Sequence, residues 1–183
     1  MNWTIPGTTI TANREEADLI PQQFGAMFLA GGMVLSQVTS ITGLDAYMIQ
    51  NWVKRGFLSK PEHKRYSLQQ LCRILSINML RGVLPMERIC GLLEFINGDL
   101  DDESDDIIDD AQLYFIFVRL AARARDLDTC DEWSRAIHEI MADYHEPFPG
   151  ARERVMKVLR IMLTAWVATR MRLEAENMLN TLN

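Results

Sequence analysis

The sequence predicts an all-α fold, and two observations predict it, with one local exception. Apolar residues recur at i, i+3 and i+4 through most of the chain, the spacing of a buried helical stripe. Most glycines and prolines fall at the ends of those stripes, where helices stop and start. One short basic segment, 57–66, reads instead as extended pieces around a turn.

The composition allows such a fold. With 183 residues, 48% of them apolar and 24% charged, the chain can bury a self-sufficient core. The cysteines Cys72, Cys90 and Cys130 are far apart and odd in number, with no CxxC pair. That spacing supports neither a zinc site nor a disulfide framework, and the expectation is reduced, mostly buried thiols in a cytoplasmic protein. No basic, apolar leader opens the sequence. The longest apolar stretches, Phe24–Leu35 and Val158–Thr169, are broken by glycines or an arginine and are shorter than a membrane span of about 20 residues. A protein without membrane contact is therefore expected.

Residues 1–20, with Pro6, Gly7 and several threonines, read as a flexible N-terminal arm. Pro21 suits the first turn of a helix whose loose apolar face is Phe24, Met27, Phe28, Met33 and Val34, interrupted at Gly31-Gly32. A short helix over Val34–Ser40 follows, then a tight turn at Gly43. Asp45 can cap the next helix, which runs to about Arg55 and buries Ile49, Trp52 and Val53. Gly56 closes that helix, and the segment from Phe57 to Tyr66 reads as a hairpin or wing. Ser67 caps a helix with Leu68, Leu71, Ile74, Leu75 and Leu80 inward. Gly82 stops it, and Pro85 starts another with Met86, Ile89, Leu92, Leu93 and Ile96 inward. Past the acidic segment, helices are expected at about 109–125, 129–144 and 150–182. The expected division is an arm over 1–20, a helix-turn-helix domain over 21–97, an acidic segment over 98–110, and a helical dimerisation or regulatory region over 111–183.

Charge is segregated along this plan. The net charge of −6 argues at first against a nucleic-acid partner. From Gly43 to Cys90, however, eight basic residues face three acidic ones. From Glu94 to Asp110 there are nine acids and no base. Local charge decides what a surface can touch.

Together, residues 35–81 have the layout of a winged helix-turn-helix: short helix, glycine turn, second helix, basic wing, third helix. The second helix would enter the major groove. Its outward residues include Tyr47, Gln50, Asn51, Lys54 and Arg55, and the two amides can bond adenine edges. Lys54, Arg55, Lys60, Lys64 and Arg65 would attract phosphates, with Tyr66 closing the wing.

The strings Leu35-Ser36-Gln37-Val38, Thr42-Gly43-Leu44, Ile49-Gln50-Asn51-Trp52, Lys54-Arg55-Gly56-Phe57-Leu58 and Lys64-Arg65-Tyr66-Ser67 resemble the DNA-binding domain of MerR-type regulators. That family has an aromatic residue near the end of its recognition helix, a glycine–apolar–leucine entry to the wing, and an arginine–tyrosine pair after it. The string from Ile41 to Asp110 is more similar still to a family of uncharacterised bacterial proteins, domain-of-unknown-function family 1836, described as MerR-like. The resemblance implies duplex DNA as partner and no enzymatic activity. The departure lies beyond residue 97, where an acidic segment and three helices stand in place of the long dimerisation helix and effector domain. MerR effector chemistry is therefore not carried over.

Blander readings stand beside these. The acidic run lacks the calcium-loop pattern and reads as a solvated linker or helix start, with Ser104 or Asp105 as cap. Its rival role is an autoinhibitory contact with the basic wing. His138 and His145, seven apart, share a face if the helix runs through both, but they do not form HExxH. No cofactor, metal site or catalytic motif is expected. The stripe of Met156, Met162, Trp166 and Met171 reads as core or as the interface of a homodimer, and less readily as a ligand pocket. The expected function is a sequence-specific DNA-binding transcriptional regulator; the alternative is a helical protein-interaction adaptor on the same fold.

Overall fold

The computed structural model describes residues 2–98, 100, 106–124 and 130–182. It is mostly helical. In chain order the elements are β1 (Asn2–Thr4), β2 (Thr11–Asn13), a 3-10 segment (Arg14–Leu19), α1 (Ile20–Met27), β3 (Met33–Val34), α2 (Leu35–Thr42), α3 (Ala46–Lys54), β4 (Arg65–Tyr66), α4 (Leu68–Leu80), α5 (Met86–Asn97), α6 (Asp110–Arg123), α7 (Cys130–Ile140) and α8 (Ala151–Asn180). The all-α expectation is amended by two small antiparallel sheets, β1 with β2 and β3 with β4.

The centre is α4. From Leu71 to Leu80 each residue except Asn78 is buried, and Asn78 is half-buried. A helix that is apolar nearly all round must be enclosed by other elements. Here α2, α5, α6 and α8 pack around it. Its one buried charge, Arg73, donates from Nε to the Phe57 carbonyl (3.2 Å) and from Nη1 to Asp110 Oδ2 (3.3 Å). The start of α6 is thereby tied to the segment that follows α3. Asp109, rather than Ser104 or Asp105, caps α6 by accepting from the Gln112 amide at 2.7 Å. Ser104 and Asp105 lie outside the described residues.

The expectation of a loose N-terminal arm is corrected. Trp3 and Ile5 are buried, and the loop between β1 and β2 is fastened at three points. Tyr114 Oη donates to the Pro6 carbonyl (2.8 Å), and Asn78 Nδ2 donates to Gly7 O (2.8 Å) and Thr42 O (2.9 Å). Thr9 donates from its backbone N–H to Ile41 O (2.7 Å) and from its hydroxyl to Ser40 O (2.8 Å). The loop thus satisfies carbonyls that α2 leaves open at its C-terminal end. Polar threonines and a Pro-Gly pair look like a solvated arm until their hydrogen-bond partners, 31 to 108 residues away along the chain, are known.

The C-terminal stripe divides in two. Val155, Val158, Leu159, Met162, Leu163 and Trp166 of α8 are buried, whereas Met171, Leu173, Met178 and Leu179 are exposed. α7 ends at Ile140, so His145 lies beyond it and shares no helical face with His138.

Glycine at position 7 is required twice over. Its φ is +76°, and an added Cβ would stand 2.4 Å from the Leu75 carbonyl oxygen. Gly7→Ala is expected to destabilise the protein by about 3 kcal/mol, through strain and overpacking together. Gly25→Ala, in α1 with open space around its Cβ, is expected to gain about 0.5–1 kcal/mol. Urea denaturation of both variants checks the contrast.

Candidate nucleic-acid interface

α3 has two chemically different faces. Ile49 and Trp52 are buried, and Met48 and Val53 are half-buried. The opposite face carries Tyr47, Gln50, Asn51 and Lys54, spaced i, i+3, i+4 and i+7 and therefore in one row. Tyr47 is 78% exposed, a large aromatic side chain left in water. Gln50 and Lys54 are exposed and Asn51 is half-exposed. Tyr47, Gln50, Asn51 and Lys54 form no side-chain hydrogen bond or ion pair among the described residues. The helix is held in front by Gly43, whose φ of +68° turns the chain between α2 and α3. Asp45 occupies the N-cap position, but its carboxylate makes no capping bond and only its carbonyl accepts, from Met48 N at 2.9 Å.

The 57–66 loop lies beside α3 and is fixed at its base. The Ser67–Gln70 capping box closes the start of α4: Ser67 Oγ accepts from Gln70 N (3.2 Å), and Gln70 Oε1 accepts from Ser67 N (2.9 Å). The same carboxamide donates from Nε2 to Ser59 Oγ (2.9 Å), Lys60 O (3.0 Å) and Ser59 O (3.1 Å). Leu58 is buried, and Arg73 holds the Phe57 carbonyl. The loop therefore leaves the core at Ser59 and returns at Tyr66.

Its return strand pairs with β3, Met33 against Tyr66 and Val34 against Arg65, while Glu62 and Arg65 form a single bridge. The tip is a four-residue turn in which Arg65 N donates to Glu62 O at 2.7 Å. Its two central residues, His63 (φ +47°) and Lys64 (φ +63°), both take left-handed conformations. This matches the mirror-image turn that suits hairpin twist, but it is normally made with glycine or asparagine. Two ordinary side chains held there are under strain, and they are held at the exposed tip.

The expected contact residues separate into three groups. Lys54, Lys60 and Lys64 are exposed and have no ion-pair partner among the described residues. Arg55 and Arg65 are exposed but engaged. Arg55 bonds Glu87 Oε1 at 3.0 Å with its guanidinium over the Phe57 ring, and Arg65 Nη1 donates to the Gly32 carbonyl at 3.0 Å. Tyr66 is corrected: it is 3% exposed, and burial raises the pKa of its phenol. It is a core residue that closes the loop, not a contact residue. Arg73, counted in the basic stretch, is likewise interior at 2% exposed.

Gln70 and Gly32 position this surface although sequence reasoning gave them no role. The Ser67-x-x-Gln70 spacing was the readable signal for the first. Gly32 carries φ +88° and backs onto the Tyr66 carbonyl, which an added Cβ would meet at 2.9 Å. A groove of about 1290 Å³ runs beneath the loop and is lined by Lys60 and Arg65 as well as by Glu94, Asp106 and Asp110. The acidic residues Asp99, Asp101, Asp102, Glu103 and Asp105, and with them the autoinhibitory contact, lie outside the described residues. Among the described residues no group of His, Cys, Asp and Glu could hold a metal ion, and no helix is long and apolar enough to cross a membrane.

The family model of the Domain of unknown function (DUF1836) matches residues 20–117, more than half of the chain and the whole of this surface. The chain belongs to the DUF1836 family. Over 84 residues it is also 32% identical to the uncharacterized protein YkrK of Bacillus subtilis (strain 168). That match covers 44% of this chain and 36% of YkrK, so the chain spans little more than a third of this relative's length. No solved structure matches the chain. For this DUF1836 protein the basic loop and the outer face of α3 thus fall inside the family's own stretch, whereas β1, β2, α7 and α8 fall outside it.

The strain at the loop tip has a measurable consequence. Lys64→Gly is expected to raise the unfolding free energy by about 1 kcal/mol, because the left-handed conformation no longer opposes a side chain. Gly32→Ala is expected to lower it. Equilibrium urea denaturation reads both, and a destabilised Lys64→Gly protein would count against strain at the tip.

Proposed function

We propose that this DUF1836 protein is a sequence-specific duplex-DNA-binding transcriptional regulator built on a MerR-like winged helix-turn-helix. The observation that carries the reading is the row Tyr47, Gln50, Asn51 and Lys54 on the outer face of α3, beside a braced basic loop. In this reading α2 props α3, and α3 enters the major groove, which is wide enough for a helix and displays a distinct pattern for each base pair. Gln50 and Asn51 bond base edges, and Tyr47 packs against or bonds the backbone. The loop is the wing, and its exposed ammonium groups Lys60 and Lys64, with Lys54 on the helix, meet phosphates.

Arg55 and Arg65 act differently from the lysines. Each already holds an intramolecular acceptor, so each orients the surface as well as charging it. A lysine with no partner has no internal bond to lose on meeting a phosphate. The overall charge of −6 does not oppose this, because salt screens charges more than about 10 Å away.

A two-fold dimer fits a regulator that reads paired half-sites, a role that requires a cytoplasmic protein. The exposed part of α8 supports a second copy as partner. Met171, Ala175 and Met178 follow one another at spacings of four and three, the seam of a helix pair, and all are exposed.

Fluorescence anisotropy with mixed-sequence duplex across a salt series tests the central claim. Binding at low salt is expected, and Lys54→Ala or Lys64→Ala should each reduce the slope of log affinity against log salt by about 0.9. Gln50→Ala and Asn51→Ala should instead relax the base preference selected from a randomised duplex pool, by about 1–3 kcal/mol at the affected position. No binding at low salt, or slopes indifferent to the lysines, would favour a protein-interaction adaptor. For the dimer, Met171→Glu with Met178→Glu should yield monomer in sedimentation equilibrium.

A further inference from the structure

We infer that the cleft between the β1–β2 hairpin, the C-terminal end of α4 and the distal half of α8 binds a small molecule bearing phosphate groups. The cleft has a volume of about 720 Å³, within the range of small-ligand sites. Its wall holds Arg14, Arg81, Arg170 and Arg172 and no carboxylate among the described residues. That composition is unusual for a chain of net charge −6 and calls for a physical account.

Four guanidiniums around one concavity repel one another, and a bound polyanion relieves that repulsion. They also present planar forks of donors, the geometry that suits phosphate oxygens. The engagements of Arg81, Arg170 and Arg172 leave donor capacity. Arg172 bonds Glu176 one turn along α8. Arg170 lies over the Trp166 ring at 4.8 Å and has no carboxylate partner among the described residues. Arg81 donates from Nε to Asn78 Oδ1 at 2.9 Å and from Nη1 to the Met48 sulfur at 3.3 Å, a weak acceptor.

A second observation points to the same cavity. Trp3, which lines it, is 8% exposed, and its indole N–H has no hydrogen-bond partner among the described residues. A buried donor left over in this way is uncommon, and a ligand oxygen in the cleft would satisfy it as an ordered water would. At one end the walls nearly touch: a Cβ on Gly82 would meet the Thr169 side chain at 3.2–3.3 Å. The segment after α4 and the middle of α8 thus approach closely at one edge of the cleft.

Occupancy would reach α3. A phosphate oxygen is a far better acceptor for Arg81 than a thioether, so a ligand competes with Met48 of α3 for that side chain. The binding claim itself does not rest on the DNA reading, and its test needs no DNA to succeed.

Isothermal titration of the full chain with inorganic pyrophosphate and with adenosine 5′-triphosphate supplies the test, with adenosine as the uncharged control. Saturable binding of the phosphorylated probes and none of adenosine is expected. Arg170→Ala with Arg172→Ala should weaken it by about tenfold or more per arginine. Both side chains are at the surface of α8, and a thermal melt confirms that the double variant folds. If it does not, Arg170→Gln alone carries the same expectation. The inference fails if neither probe binds up to about 5 mM, or if the variants bind as the wild type does. It also fails if the substitutions lower affinity only for a mixed-sequence duplex, which would make the cleft a phosphate contact for DNA.

Discussion

Enclosure of α4 is the constraint on which the other elements depend. Leu71, Ile74, Leu75, Ile77 and Leu80 are fully buried on different sides of one helix, and each is worth roughly 1.5–3 kcal/mol of transfer free energy. No single neighbour can cover such a helix, so elements from both ends of the chain must converge on it. The polar residues of α4 then act as fasteners. Asn78 holds the N-terminal loop and the end of α2, Gln70 holds the start of the basic loop, and Arg73 joins that loop to α6. A buried ion pair such as Arg73–Asp110 is a poor source of net stability but a strict one of geometry, because an uncompensated partner left behind would be costly.

Two charged regions are built on this one helix, at opposite ends of it. The basic loop is braced by Gln70, near the N-terminus of α4, and the arginine-lined cleft is bounded by Arg81, at its C-terminus. Their relation to the family differs. Residues 20–117 are matched by the DUF1836 model and include the loop, α3 and Arg81. Trp3, Trp166, Arg170 and Arg172 are outside the match, so the cleft is assembled largely from what this chain adds to the shared part.

The exposed surface departs from what stability alone would favour. His63 and Lys64 keep left-handed backbones where glycine would relax them, and Lys54, Lys60 and Lys64 project charge with no ion-pair partner among the described residues. Tyr47 and the distal apolar residues of α8 remain in water. The fold itself gives these features no stabilising role.

Local signals in the sequence determined most of the helices and the outward row of α3. The i, i+3, i+4 stripe of Ile49 and Trp52 specifies which face is buried, and so leaves Tyr47, Gln50, Asn51 and Lys54 on the other. Gly43, Gly56, Ser67 and Pro85 mark the boundaries through backbone chemistry that acts within a few residues. Tertiary structure alone decided that Tyr66 and Arg73 are interior, that residues 2–19 are packed, and that the α8 stripe leaves the core after Trp166. Each of these depends on partners far along the chain, Met33, Asp110 and Asn78 among them. An arginine beside a basic loop reads as surface until a distant carboxylate and carbonyl close over it. Burial is a property of which segments meet in space, and no periodicity within a single segment encodes that.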